Sequence, residues 1–340
     1  MTSRAFITGV SGLELRAAER EFIRGELPWG LILFKRNVET PDQVSALVEE
    51  FRNLVGEADA PVLIDQEGGR VARLGPPHWQ VYPPGASFGA LYDIEPELGL
   101  QAARLSSRLI AADLIDIGIT VDCLPLADVP VAGADAVIGN RAYGTEPGKV
   151  AAIARAVSDG LEHGGVLPVL KHIPGHGRAT ADSHFRLPTV DTSREELERT
   201  DFAAFQPLSD LPMAMTAHVV FSALDPVQPA TTSATIIRQV IRGVIGFQGL
   251  LMSDDVSMNA LAGSIADRTR AIVNAGCDMV LHCNGKLDEM RDVARETPAL
   301  TGEALERATR ALASRKQPEP LDRQAARVEL EALMDRVGTA

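Results

Sequence analysis

No stretch of this chain reaches the about 18 consecutive apolar residues that a membrane-crossing helix needs, so no transmembrane segment is expected. Its first residues, MTSRAFITG, lack a charged segment leading into a long apolar run, so no secretory signal is expected either. Cysteine is scarce. Cys123, Cys277 and Cys283 are an odd three with no CxxC pair, which argues against a disulfide framework and fits the reducing cytoplasm. Runs of lysine or arginine are also missing, and the formal net charge is −13. A nucleic-acid binder normally carries a basic face, so nucleic acid is not an expected partner. The acidic balance favours solubility but does not describe the substrate, because a local basic pocket can sit inside an acidic protein. Low-complexity segments are absent as well.

What is present is a large apolar fraction, 45% of 340 residues, enough for one sizeable core. Eight short apolar runs read as buried parallel strands: Ala5–Gly9, Gly30–Phe34, Pro61–Asp65, Ile119–Leu124, Val166–Lys171, Pro212–His218, Gly249–Asp254 and Asp278–His282. Stretches of helical period separate them. Ser11-Gly12-Leu13-Glu14 reads as a capping box ahead of Leu15, Ala18 and Phe22 on one helix face. Thr40-Pro41 reads as an N-cap with proline at the first helical position. Residues 95–117 form a long amphipathic stretch that Gly118 ends. Strand–helix alternation repeated eight times predicts a single-domain (β/α)8 TIM barrel over residues 1–300. Two further helical stretches, at about 301–315 and 321–337, are expected to pack on its outside, so that residues 301–340 are C-terminal helices. Monomer is the simplest expected state. Two connections, from Gly68 to about Leu91 and from His172 to about Leu197, are longer than a barrel needs, and long loops in compact domains are usually functional.

Polar residues fall at particular strand ends. Strand three ends in Asp65, strand five in Lys171-His172, strand six in His218, strand seven in Asp254-Asp255 and strand eight in His282. In a barrel these positions share the C-terminal rim, where active sites lie. Asp254, the last residue of its strand, is expected to face the barrel mouth, where a carboxylate could attack an anomeric carbon. Asp255 or Ser257 reads instead as a cap for the next helix.

The segment Lys171-His-Ile-Pro-Gly-His-Gly177, with Asp182-Ser-His184 just after it, is the richest in chemistry. His172 and His176 have a spacing that would suit zinc on a helix, but Pro174, Gly175 and Gly177 break any helix there. The first strand also lacks the His-x-His pair usual in metal-dependent barrel hydrolases. No metal or organic cofactor is therefore expected. Asp182 and His184 are two residues apart and would face the same side of an extended loop. A carboxylate there would orient the imidazole and favour its protonated form, which suits a proton donor near neutral pH. Spacing alone leaves open a second reading, in which Asp182 caps a turn and His184 is exposed.

Together these motifs resemble glycoside hydrolase family 3, in its β-N-acetylglucosaminidase branch of bacterial cell-wall recycling. The matching pieces are Gly30-Leu-Ile-Leu-Phe-Lys-Arg-Asn37, Asp65-Gln-Glu-Gly-Gly-Arg-Val-Ala-Arg73, Ile138-Gly-Asn-Arg141, Lys171–Gly177, Asp182-Ser-His184 and Ser253-Asp-Asp-Val-Ser-Met258. The resemblance implies double displacement through a covalent glycosyl-Asp254, with His184 as acid/base paired to Asp182. It implies that Asp65, Arg73, Arg141, Lys171 and His172 bind the sugar. The implied substrate is GlcNAc on 1,6-anhydro-MurNAc, with or without peptide. Arg178 stands where relatives often carry an acidic or amide residue, and the residues after the barrel are expected to be too few for the second α/β domain that many members carry. An imidazole acid/base does not repel anions, so a phosphorylase on the same scaffold is the first alternative. A metal-dependent barrel hydrolase and a non-catalytic sugar-binding protein are the others. His218 and His282 are expected to make structural hydrogen bonds, the cysteines to lie in the core and Glu67 to orient its loop. The loop Gly175–Leu187 is expected to be mobile and to order over bound sugar.

Overall fold

The computed structural model describes residues 3–179, 181–183 and 186–338. All eight apolar runs become strands of one closed parallel barrel: Arg4–Thr8, Pro28–Leu33, Val62–Ile64, Val121–Asp122, Leu167–Ile173, Met213–Thr216, Leu250–Asp255 and Met279–His282. Strand one pairs with strand eight through Phe6 opposite Val280, which closes the ring. This is the expected (β/α)8 barrel. Among the described residues no helix is long and apolar enough to cross a membrane.

Alternation along each strand builds two cores. Ile7, Leu63, Val169, Met215, Met252 and Leu281 point inward and fill the barrel. Their out-of-phase neighbours Phe6, Ile64, Leu170, Ala214, Leu251 and Val280 face the surrounding helices. The helix Pro41–Val55 shows how the outer layer is held. Thr40 Oγ1 accepts the Gln43 N–H, proline takes the first position, and Val44, Leu47, Val48 and Phe51 are buried. Burial of each such side chain contributes about 1.5–3 kcal/mol. After strand six the helical layer is a π-helix, Ile236–Val244.

Several expectations need correction. Residues 11–14 do not start a helix. Arg16 caps the helix Ala17–Glu26, and Glu19 accepts the Ser11 and Arg16 amide N–H groups, each at 2.8 Å. A carboxylate at the third helical position satisfies two orphan amides at once, which leaves Glu14 no capping role. The long connection after Gly68 is not all loop, because Gly85–Ile94 is helical and packs on the helix Pro96–Asp116. The connection after His172 contains a short strand, Thr189–Val190, paired in parallel with Val220–Phe221 outside the barrel.

The two last helices are Gly302–Ala313 and Arg323–Gly338. Leu300, Ala308 and Ala311 join the interior cluster and cover the N-terminal end of the barrel. Arg323 forms an ion pair with Asp116 on the long helix Pro96–Asp116.

Candidate active site

The inward phase that fills the barrel continues past it to the C-terminal rim. Two residues beyond Leu63 is Asp65. Beyond Val169 it is Lys171, beyond Met252 it is Asp254, beyond Ile32 it is Phe34, and beyond Leu281 it is Cys283. All five line one cavity of ≈ 270 Å³, together with Met215. The ladder shifts register between Leu170 and Ile173, and there the out-of-phase His172 also reaches the cavity. Loops supply Arg70, Arg73, Arg141, Asp182 and Met258. The structure therefore gathers Asp65, Arg73, Arg141, Lys171, His172, Asp182 and Asp254 around one mouth. His184 lies outside the described residues.

Ion pairs organise one wall. Lys171 is buried, and its Nζ lies 3.0 Å from Asp65 Oδ1 and 2.6 Å from Glu67 Oε1. Arg73 meets the other Asp65 oxygen at 3.0 Å. Arg141 grips Glu67 in a two-pronged contact at 2.8 and 2.7 Å, the geometry that guanidinium favours with carboxylates. Burial opposes ionisation of Asp65 and Glu67, but the cations outweigh it. Lys171 and Arg73 hold the Asp65 carboxyl well below the ordinary range. Lys171 and Arg141 hold Glu67 at about 2. Burial also opposes the charge on Lys171, and Glu67 and Asp65 push its pKa above normal in spite of it. The wall is thus charged in every member, with fixed donors and acceptors.

Asp128 organises a second wall. It is wholly buried, and its Oδ2 meets His172 Nδ1 at 2.7 Å. Its Oδ1 accepts the backbone N–H of His176 at 2.6 Å and of His172 at 3.3 Å. Burial raises the carboxyl, and the His172 contact overrides this and lowers it. His176 is pushed down to about 4 by burial and by the neighbouring His172, so its ring is neutral. No pattern in the sequence marks Asp128, because the fourth strand carries its polar residue on an irregular extension well past Leu124. Among the described residues no group of three or more His, Cys, Asp or Glu side chains is arranged to hold a metal ion.

On strand seven the two aspartates differ. Asp255 is committed to its own turn, accepting from Ser257 N–H, Ser257 Oγ and Cys283 N–H at 2.9, 2.6 and 3.1 Å. Both aspartates line the cavity, but Asp254 holds no such turn among the described residues, and its Oδ1 accepts the Asp255 N–H at 2.8 Å. His218 is buried between Thr231 Oγ1 and the Asp255 carbonyl oxygen at 2.7 and 3.0 Å, the structural role expected of it. His282 has a long contact of 3.5 Å to Glu289. Cys123 and Cys277 are buried in the core, whereas Cys283 corrects the expectation by lining the cavity. Glu67 is more than a loop orienter, since it bridges Arg141 and Lys171. Arg178 points away from the cavity, to Asp201 Oδ2 at 2.6 Å and Thr200 Oγ1 at 3.0 Å.

Comparison with known proteins identifies the family and the fold. The family model described as glycosyl hydrolase family 3 N terminal domain matches residues 7–314. A beta-hexosaminidase of Bordetella avium is 35% identical over 316 residues, covering 91% of this chain and 88% of that one. The structure of NagZ from Neisseria gonorrhoeae in complex with N-trifluoroacetyl-D-glucosamine superposes with a TM-score of 0.85 at 30% identity, covering 100% of this chain and 98% of that one. A family 3 beta-N-acetylglucosaminidase from Paenibacillus gives 0.84 at 29% identity, covering 98% of this chain, which spans 66% of that protein's length. The chain belongs to glycosyl hydrolase family 3 and is a glycoside hydrolase.

Proposed function

We propose that this protein is a retaining β-N-acetylglucosaminidase that releases terminal β-linked GlcNAc, with GlcNAc-1,6-anhydro-MurNAc and its peptides as substrate. One observation carries the reading: Asp254 and Asp182 line the same small cavity as the charged wall Asp65, Arg73, Arg141 and Lys171. The similar proteins named beta-hexosaminidase and beta-N-acetylglucosaminidase support the sugar class.

In this mechanism Asp254 attacks C1 of the sugar while His184, paired with Asp182, protonates the departing oxygen. His184 then takes a proton from water, which opens the glycosyl-Asp254 ester. Sugar hydroxyls donate to Asp65, whose two cations keep it an acceptor at all ordinary pH. Arg73, Arg141, Lys171 and the outward Nε2 of His172 supply the remaining partners. His172 can serve because Asp128 takes its Nδ1 side. The imidazole acid/base also leaves phosphate able to replace water, which makes phosphorolysis the competing reaction.

The test is turnover of an aryl β-N-acetylglucosaminide by wild type, Asp254→Asn and His184→Ala, with and without phosphate. Near-complete loss in Asp254→Asn is expected. His184→Ala should lose less on this good leaving group than on a disaccharide. Retention of most activity by Asp254→Asn would remove the nucleophile assignment, and dependence on phosphate would turn the hydrolase into a phosphorylase.

A further inference from the structure

We infer that Ser183, gripped by His176, is a positioning residue that fastens the Asp182-bearing segment across the top of the pocket. The inference rests on the acid/base reading of Asp182 and His184. Ser183 is buried, and it is held at two atoms. Its Oγ meets His176 Nε2 at 3.1 Å, and its carbonyl oxygen accepts the Ala260 N–H at 3.2 Å. The two partners come from different walls. His176 comes just after strand five, and Ala260 lies in the turns after Asp254 and Asp255 on strand seven. One serine thereby ties the loop to both the sugar-binding side and the nucleophile side, and Asp182 is its immediate neighbour.

The grip is specific to the imidazole. His176 Nε2 and Ser183 Oγ share one hydrogen across 3.1 Å, while His176 Nδ1 is buried with no hydrogen-bond partner among the described residues. A buried nitrogen without a partner is unfavourable, and an apolar residue would fill the same space without it. The serine bond is what a histidine adds at this position. The ring is itself placed by others. Its backbone N–H is held by Asp128, the carboxylate that also holds His172. The next residue, Gly177, packs so closely on strand four's extension that a Cβ there would lie 2.1 Å from the Val129 carbonyl oxygen. His172 and Ser183 therefore share one buried anchor, and the sugar-binding imidazole and the Asp182 segment are set in register by it.

The test compares kcat/KM on a GlcNAc disaccharide, whose leaving oxygen needs a proton, with a dinitrophenyl glycoside, whose leaving group needs none. Ser183→Ala should lose about tenfold on the disaccharide and less than about twofold on the dinitrophenyl substrate, with stability lowered because the buried His176 nitrogen is left without its partner, and the protein still folded at the assay temperature. His176→Ala should reproduce that pattern, the double variant should be no worse than either single one, and His176→Gln, which keeps an N–H donor, should recover part of the loss. Equal losses on the two substrates, measured where the variants are fully folded, would overturn the inference, because the serine would then only support the fold. Asp182→Ala is measured alongside. If Asp182→Ala discriminates between the substrates and Ser183→Ala does not, the fastening role falls while the acid/base reading stands. If neither discriminates, both fall.

Discussion

Asp128 Oδ2 lies 2.7 Å from His172 Nδ1, and the carboxylate has no exposed surface. The pair fixes which imidazole nitrogen looks into the pocket. Asp128→Asn keeps the shape but replaces an anionic acceptor with an amide. Its expected result is a rise in KM for the glycoside of about tenfold, since a charge-assisted hydrogen bond is worth about 1.5–3 kcal/mol. Asp128→Ala also strands the His172 and His176 amides, and denaturant unfolding should show about 3–5 kcal/mol of lost stability.

Acid should weaken the fold in two stages, and the sign is the same for both. The folded-state pKa of His176 lies at about 4 against 6.5 for a free imidazole, so between these values the unfolded chain binds the extra proton. Stability from this source is whole above the free value and is lost as pH falls towards the folded one, on the order of 3 kcal/mol across the window. Glu67, at about 2 against 4.5, is stabilising above its free value and loses that contribution as pH falls further. Unfolding free energies measured down the pH scale should show His176→Gln flattening the first stage alone. Lys171→Met should shrink the second, because Glu67 then loses the cation that lowers it most and keeps only Arg141. That variant should also be less stable near neutral pH by about 3–5 kcal/mol, since Asp65 and Glu67 keep their charges without it.

Arg178→Ala is expected to act through stability and the loop's root. Asp201 is buried, and its pKa is raised by burial even with Arg178 beside it. Without the guanidinium its carboxyl should be protonated at higher pH and the protein destabilised by about 2 kcal/mol, measured as a shift in denaturant midpoint. The expected effect on KM is small, because Arg178 does not line the cavity.

At the other end of the barrel, Asp278 accepts from Arg242, Arg307 and the Leu251 amide at 2.8, 2.9 and 2.9 Å. Asp278→Ala leaves two guanidinium groups facing each other, and about 3–5 kcal/mol of stability should be lost in denaturant unfolding, with kcat unchanged in the folded fraction.

The barrel is legible in the sequence because buried parallel strands are continuous apolar runs, and all eight are. The pocket floor is legible for a second reason. Once Leu63, Val169 and Met252 are inward, Asp65, Lys171 and Asp254 must be too, and the same parity points to Phe34 and Cys283. Asp128 and the role of Glu67 are not legible. Both sit past the regular strands, where the two-residue period no longer says which way a side chain faces. The start of the first helix escapes the pattern as well. Ser11-Gly-Leu-Glu14 has the letters of a capping box, while Glu19 lies far enough along to hold both free amides.

The pairing of Phe6 with Val280 joins nearly opposite ends of the chain. While the protein is being synthesised, strands one to seven have no complete ring to join, and the emerging sheet keeps two open edges until Met279–His282 leaves the ribosome. Even then the interior is uncovered at one end until Leu300, Ala308 and Ala311 arrive. Contacts of such long sequence separation form slowly, and open strand edges invite pairing with other chains. The order of translation thus makes the last part of the barrel to be made the one on which escape from aggregation depends.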